Sequence, residues 1–268
     1  MNPSNTSIMW IGLLYGMICL AAQYEAVSEG KSSILGGQAL RDPLETVSIF
    51  REKMIQCLVL GNYTEPGPYT VETLIMYYIS DHFRTSDTQF GAWMVFGLIV
   101  RAAMRLGLHL DASNFPRISV FRGEMQRRLW ASIVHLDLQT SIQVGLPRMV
   151  REGMYNTQPP RNLLDEDFDE HSKVLPPSRP DGEITNIGYS NAKHKISTVF
   201  GTIVDQANST SPVSYEDVMK LDKKLHDVNQ EVPESLRYAP SFIVHVLLEH
   251  SLTILRVHLM LLFPLSTW

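Results

Sequence analysis

The residues whose types and spacing could do chemistry form an acidic run from Asp165 to Glu170, which reads Asp-Glu-Asp-Phe-Asp-Glu. Closely spaced carboxylates are ligands that Ca²⁺ and Mg²⁺ favour in proteins. The alternating aspartates match the start of an EF-hand calcium loop, but that loop needs glycine at its sixth position and glutamate at its twelfth. Glu170 and Pro176 hold those positions here, so the calcium loop is excluded.

The same run fits the Asp-Asp/Glu-x-x-Asp pattern with which all-helical terpene synthases bind magnesium. Their second metal motif, an Asn or Asp with Ser or Thr four residues later and Glu eight residues later, does not follow the run. The run also follows the loop-like sequence Pro159–Asn162, whereas the terpene synthase motif lies at the end of an aromatic-lined helix. A solvated acidic loop is the favoured interpretation, and a magnesium-dependent enzyme that uses Asp165–Asp169 is the alternative.

Other catalytic and metal-binding signatures are missing from the sequence. There is no nucleotide-binding glycine motif, no nucleophile elbow and no His-Glu-x-x-His zinc motif. His245 and His250 are five residues apart, which places them on different faces of a helix. Cys19 and Cys57 lie in apolar stretches and are predicted to be buried free thiols. We therefore expect no catalytic residue, no metal and no cofactor.

Composition limits the class of partner. The chain has 268 residues, 44% of them hydrophobic, and a net charge of −5, so it has a sizeable core and no overall positive field to attract nucleic acid. The apolar stretch Ile8–Tyr24 has no basic residue before it and is shorter than a membrane span of about 20 residues. It is predicted to be a core helix, and no membrane partner is expected.

Apolar residues recur at helical spacing through most of the chain, and strand signals are weak throughout. The pattern predicts an all-α protein of about eight helices in one irregular helical domain over residues 1–268, with an internal loop region at 159–190. The predicted helices span residues 4–28, 44–60, 70–84, 88–108, 124–144, 191–206, 215–230 and 240–262.

Several charged residues lie within these apolar helices. Asp137 sits between two leucines, and a buried carboxylate is costly unless it is paired. We expect it to find an arginine or a hydrogen-bond donor, and the specific hypothesis is a pair with Arg101 or Arg105, which lie four residues apart on the fourth helix. Arg128 and Trp130 belong to the sequence Glu-x-x-Arg-Arg-x-Trp. The expected role of Arg128 and Trp130 is structural, as it is for Arg101, Arg105 and Asp137. All five residues are expected to dock helices against one another.

The order of these residues resembles the fungal-specific transcription factor domain, the middle homology region of fungal zinc-cluster regulators. The resemblance covers nearly the whole chain and is most specific between Trp93 and Asp169. The middle residue of Gly-x-Pro is often arginine in the family and is Leu146 here. The residues that carry the resemblance are Trp93, Arg101, Leu106-Gly107-Leu108-His109, Glu124, Arg127-Arg128, Trp130, Asp137, Gly145, Pro147, Pro160 and Asp167.

The resemblance implies a non-catalytic regulatory domain of a nuclear transcription regulator, with a metabolic or secondary-metabolite gene cluster as a common setting. In that family a separate six-cysteine zinc cluster binds DNA, and this chain has two cysteines. DNA would therefore be reached only indirectly, and we expect the domain to be incomplete at one or both ends. A second copy, other transcription proteins and a small-molecule effector are the partners that the resemblance suggests.

Overall fold

A computed structural model of the chain describes residues 6–27, 43–84, 89–183 and 185–233. Across these residues the protein is helical and contains no strand, which confirms the all-α prediction. The predicted helix at 240–262 lies outside the described residues. Two 3₁₀ turns, at Ala112–Asn114 and Asp165–Asp167, accompany the helices α1 (Ile8–Val27), α2 (Pro43–Leu60), α3 (Thr70–Arg84), α4 (Gln89–Arg105), α5 (Val120–Val144), α6 (Asn186–Ala207) and α7 (Tyr215–Glu231).

The chain divides into two compact units, Met1–Leu110 and Asp111–Trp268. The first unit holds α1 to α4, and the second holds α5 to α7 with the long segment that joins α5 to α6. The assignment of residues 1–268 to one domain stays a prediction.

Small residues bring α1 close to α2 and α3 in the first unit. A methyl group added to Gly12 would lie 2.9 Å from the Cβ of Cys57, and one added to Gly16 would lie 2.6 Å from the Cβ of Met76. Both glycines are therefore needed for helices to pack at this distance. The hydroxyl of Thr73 also donates to the carbonyl of Met9 at 2.9 Å.

By length and composition, α1 is apolar enough to cross a membrane. The face of α1 toward α2 and α3 is buried, as the prediction of a core helix requires. Cys19 and Ala22 are among the small residues on that face. On the opposite side of the helix, Met17 and Tyr24 are exposed. Core packing thus accounts for one face of α1.

The fourth helix ends earlier than the sequence predicts. It stops at Arg105, because Gly107 takes the left-handed conformation at a φ of 77°. The N–H of Leu108 then bonds back to the carbonyl of Ala103 at 3.0 Å. This arrangement closes a helix C-terminus.

Two helices of the second unit begin earlier than predicted, because polar residues cap them. The hydroxyl of Ser119 accepts from the N–H of Arg122 at the start of α5. The hydroxyl of Thr185 accepts from the N–H of Gly188 at 2.8 Å at the start of α6. Such caps satisfy N–H groups that the first helical turn leaves unpaired.

Helices α5 and α6 run in the same direction. His135 contacts Ser197 at a sequence separation of 62, and the next core pairs, Leu138 with Phe200 and Ile142 with Val204, keep the same separation. The segment between Gly145 and Thr185 must therefore return the chain to the start of α5. Helix α7 closes the other side of α6 through Leu225, which packs on Val199 and Ile203.

Candidate functional site

Glu124 is the most buried member of the Glu-x-x-Arg-Arg-x-Trp sequence, with a side chain that is 0% exposed. Its Oε1 accepts from the backbone N–H of Arg161 at 3.0 Å. The guanidinium groups of Arg127 and Arg128 lie 3.9 and 3.6 Å from its carboxylate. Burial nevertheless raises the pKa of Glu124 above its usual value. This carboxylate ties the first turns of α5 to the connecting segment.

Arg127 donates two parallel hydrogen bonds to the carboxylate of Asp111. Its Nε donates to Oδ2 at 2.9 Å and its Nη2 donates to Oδ1 at 2.8 Å, a fork geometry that gives strong pairs. The N–H groups of Ser113 and Gln158 also donate to Asp111. The Arg127 guanidinium, as the largest cause, holds the pKa of Asp111 well below its usual range. Asp111 thus joins α5 to two loops.

Arg128, predicted to be a docking residue, contacts the connecting segment. Its Nη1 donates to Asp165 at 2.6 Å, and its Nη2 donates to the carbonyl of Leu163 at 3.2 Å. Its guanidinium also lies 4.9 Å from the ring centre of Phe168, a cation–π distance. Arg128 therefore holds the acidic run against α5.

The interpretation of the acidic run as a solvated loop fits most of its residues, since Asp165, Glu166, Asp169 and Glu170 are exposed. Two of its side chains are nevertheless held by the rest of the unit. Phe168 is 7% exposed, and Asp167 accepts two hydrogen bonds from Arg179, at 2.7 and 2.8 Å. This pairing, as the largest cause, lowers the pKa of Asp167 to about 2. Asp165 remains exposed despite its contact with Arg128.

The carboxylates of the run do not form a metal site. Asp165 and Asp167 point to arginines, and Asp169 accepts from the hydroxyl of Ser172 at 2.9 Å. Within the described ranges, no group of three or more His, Cys, Asp or Glu side chains could hold a metal ion. The arrangement suits a salt-bridged turn rather than magnesium chemistry.

Trp130 is the largest fully buried side chain of the described residues. Its ring packs edge-to-face on Tyr155, with 5.6 Å between ring centres, a favourable aromatic geometry. Tyr155 lies in the connecting segment, so Trp130 also holds that segment against α5. Its predicted docking role remains a proposal that this geometry supports.

Asp137 is 0% exposed and accepts from the backbone N–H of Val150 at 2.7 Å. Burial, as the largest cause, raises the pKa of Asp137 to about 6, although the backbone at Met149 and Val150 and the charge of Arg148 oppose that rise. Arg101 and Arg105 belong to the other unit and are exposed. The predicted pairing of Asp137 with either arginine stays a prediction, and the observed partner is a backbone amide.

Arg101 interacts within its own helix. Its Nη1 donates to the carbonyl of Gly97 at 3.1 Å, one turn earlier on α4. Arg105 lies in the last turn of α4, where a cation is favourable beside the unpaired carbonyls of a helix end. Both positions fit solvent-facing side chains of an amphipathic helix.

Arg148 is the docking residue that sequence reasoning missed. It is 5% exposed, and it donates to Asp205 on α6 from Nε at 3.0 Å and from Nη2 at 2.8 Å. A methyl group added to Gly201 would lie 2.8 Å from Nη1 of Arg148. The available signal was weak: a basic residue directly after Gly145-Leu146-Pro147, and a glycine one turn before an aspartate.

Asn162 holds the end of the connecting segment that leads into α6. Its side-chain amide donates to the carbonyls of Arg179 and Pro180, and its side-chain oxygen accepts from the hydroxyl of Thr185. The residue that caps α6 is therefore itself held by the segment before it. The sequence analysis overlooked four further residues of this framework, because no local sequence pattern marks them. They are Asp111, Arg161, Asn162 and Arg179.

The site is thus a framework of buried arginine–carboxylate pairs around α5, built to position helices rather than to transform a substrate. This is the construction of an all-helical, non-catalytic domain. The chain matches the fungal specific transcription factor domain over residues 2–230, and it belongs to that family.

Curated relatives agree with this assignment. The chain is 47% identical over 235 residues to the Zn(2)-C6 fungal-type transcription factor mpsB of Macrophomina phaseolina, with 88% of this chain and 31% of the relative covered. It is 46% identical over 239 residues to pigI of Monascus ruber, with 89% and 28% covered.

A third relative carries a pathway in its name. The chain is 43% identical over 244 residues to the pyrrolocin cluster transcription factor fsdR of a fungal species, with 88% of this chain and 32% of the relative covered. The chain spans about a third of the length of these relatives. No solved structure matches it.

Proposed function

We propose that this chain is the regulatory, middle homology region of a fungal transcription regulator that controls a metabolic or secondary-metabolite gene cluster. The observation that carries the proposal is the 43% identity to a relative named for the pyrrolocin cluster. Relatives named for the fusarisetin A and equisetin clusters, at 39% and 38% identity, support it. Identity at this level extends over 88% of the chain in each case.

The proposed setting is the nucleus, since relatives are named transcription factors. DNA is a partner only indirectly, through a zinc cluster that this chain does not contain, because the sequence has two cysteines and a net charge of −5. A second copy of the chain, other transcription proteins and a small-molecule effector are the further proposed partners. Within this role, the arginine–carboxylate framework keeps α5, α6 and their connection as one body.

A reporter fusion tests the regulatory role. The 268-residue chain is joined between a heterologous zinc-cluster DNA-binding domain and an activation domain in a fungal host. We expect reporter transcription to differ several-fold from that of the fusion without the chain. The difference should disappear with Gly201→Ala, which displaces Arg148, and persist with Gly91→Ala, whose added methyl lies within 4 Å of no atom of the described residues.

Protein abundance and nuclear localisation of each fusion are measured by fluorescence alongside the reporter. Equal transcription from equally abundant nuclear fusions, with and without the chain, would contradict the proposal. It would leave the chain as a structural segment with no influence on transcription.

A further inference from the structure

Three basic side chains, from His135, Lys193 and His194, lie where α5 meets α6. They are not part of the arginine–carboxylate framework. His135 projects from α5 toward Ser197 of α6, with 3.4 Å between Nδ1 and Oγ. Lys193 and His194 lie one turn before Ser197 on the same helix. Both act on His135: together with burial, which is the largest cause, they lower its pKa to about 3.

The hydrogen-bonding capacity of this cluster is not satisfied. Nε2 of His135 and Nδ1 of His194 are buried and have no hydrogen-bond partner among the described residues. When the hydroxyl of Ser197 donates to Nδ1 of His135, the ring proton sits on Nε2 and makes that atom a buried donor without an acceptor. A buried donor without an acceptor is a costly arrangement.

The cluster also lacks a counter-charge of its own. Lys193 makes no ion pair within the described part of the chain, whereas the nearby Lys195 lies 3.7 Å from Asp181. The carboxylate that acts on His194 is that of Glu152, and Glu152 is already paired with Arg148 at 3.2 Å.

We propose that His135, Lys193 and His194 form a binding site for the anionic oxygen group of a small molecule, a carboxylate or a phosphate. The bound oxygens accept from Nε2–H of His135 and from the ammonium of Lys193, and they supply the missing negative charge. Burial lowers the pKa of Lys193 and of His194 in the unliganded protein. A bound anion opposes that effect and raises both pKa values, so we expect proton uptake on binding at a pH close to the usual imidazole pKa of about 6.5. The site is independent of the transcriptional role.

Titration of the purified 268-residue chain tests the site. Inorganic phosphate and acetate are added in separate series at constant ionic strength and pH, and the imidazole signals are followed by ¹H–¹⁵N NMR. We expect saturable shifts of the His135 and His194 rings in at least one series, and the series that saturates identifies the anion. Calorimetry in two buffers of different ionisation enthalpy should show proton uptake.

Two charge-matched variants separate a site from general charge effects. Lys193→Met keeps a half-buried chain of similar length without the ammonium, and it should weaken the apparent affinity at least about tenfold, equivalent to 1.4 kcal/mol. Lys195→Met removes the same charge from an exposed position two residues away and should leave the affinity unchanged. The proposal is wrong if neither anion saturates the wild-type shifts, or if the two variants weaken binding equally.

Discussion

The guanidinium of Arg148 occupies the space beside Gly201 that any larger side chain on α6 would need. Nη1 and Cζ of Arg148 lie 2.8 and 2.9 Å from the position of a methyl group added at Gly201. From that place the guanidinium reaches both oxygens of Asp205. A glycine thus permits an ion pair between the turn after α5 and the last turn of α6.

Gly201→Ala is expected to destabilise the protein. The added methyl displaces the flexible end of the Arg148 side chain, which pairs with an Asp205 that is 25% exposed. Loss of these charge-assisted hydrogen bonds costs about 1.5–3 kcal/mol and alanine regains about 1 kcal/mol of helix propensity, so the net loss should be about 0.5–2 kcal/mol. Urea denaturation followed by circular dichroism measures it. Gly91→Ala on α4 adds its methyl to open space and should be neutral or stabilising. Equal behaviour of the two variants would contradict the role of Gly201.

Asp137 should make the stability depend on pH. Its pKa is raised from 3.8 to about 6 in the folded protein, so the folded state holds the proton more tightly than the unfolded state. Stability should therefore fall as the pH rises through the window from about 4 to about 6, by up to about 3 kcal/mol from this group.

Asp137→Asn removes this titration and keeps an oxygen that accepts from Val150. Denaturation midpoints are measured at about pH 4.5 and about pH 7.5, which lie below and above the raised pKa of Asp137. The two midpoints should differ less in the variant than in the wild type. Asp227→Asn, at an exposed position, serves as the control. An unchanged pH slope in Asp137→Asn would show that another group causes the dependence.

Adjacent arginines of α5 should contribute unequally. Arg127 pairs with Asp111, whose side chain is 4% exposed, and Arg128 pairs with Asp165, whose side chain is 90% exposed. Asp111→Asn should cost about 3 kcal/mol, whereas Asp165→Asn should cost less than about 1 kcal/mol. Thermal unfolding at pH 7 measures both. Similar losses from the two substitutions would refute the ranking by burial.

Magnesium should leave the protein unaffected. Asp165 and Asp167 are engaged by Arg128 and Arg179, and a ligand stabilises a protein only by binding its folded state. Millimolar Mg²⁺ and EDTA should give the same melting temperature. A rise with Mg²⁺ that Asp167→Asn abolishes would instead revive the metal interpretation of the acidic run.

The sequence predicted most helices because their signals are local. Apolar periodicity marked α2 and α3, and Gly145-Leu146-Pro147 placed the end of α5 correctly. The starts of α5 and α6 were set too late, because Ser119 and Thr185 look like ordinary loop residues until their hydroxyls are seen to accept helical N–H groups.

The framework around α5 was much harder to foresee. Arg148 and Asp205 are 57 residues apart, and Arg128 and Asp165 are 37 apart, so nothing local in the sequence links them. Asp137 was expected to need a partner once buried, and the backbone N–H of Val150 donates to it. That its partner is the amide of Val150 depends on how the chain turns after Gly145, and side-chain types alone do not encode that turn.

The segment between α5 and α6 has the composition of a flexible linker, yet five of its backbone carbonyls between Leu163 and Pro180 accept hydrogen bonds from side chains. Carbonyls of Leu163, Leu175, Pro176, Arg179 and Pro180 accept from Arg128, Arg161 and Asn162. A protease needs an extended stretch of free backbone, and an inserted loop needs room. Neither should be tolerated at these five carbonyls without breaking their hydrogen bonds, so this part of the segment serves as a strut rather than as a place where the domain could be cut or extended.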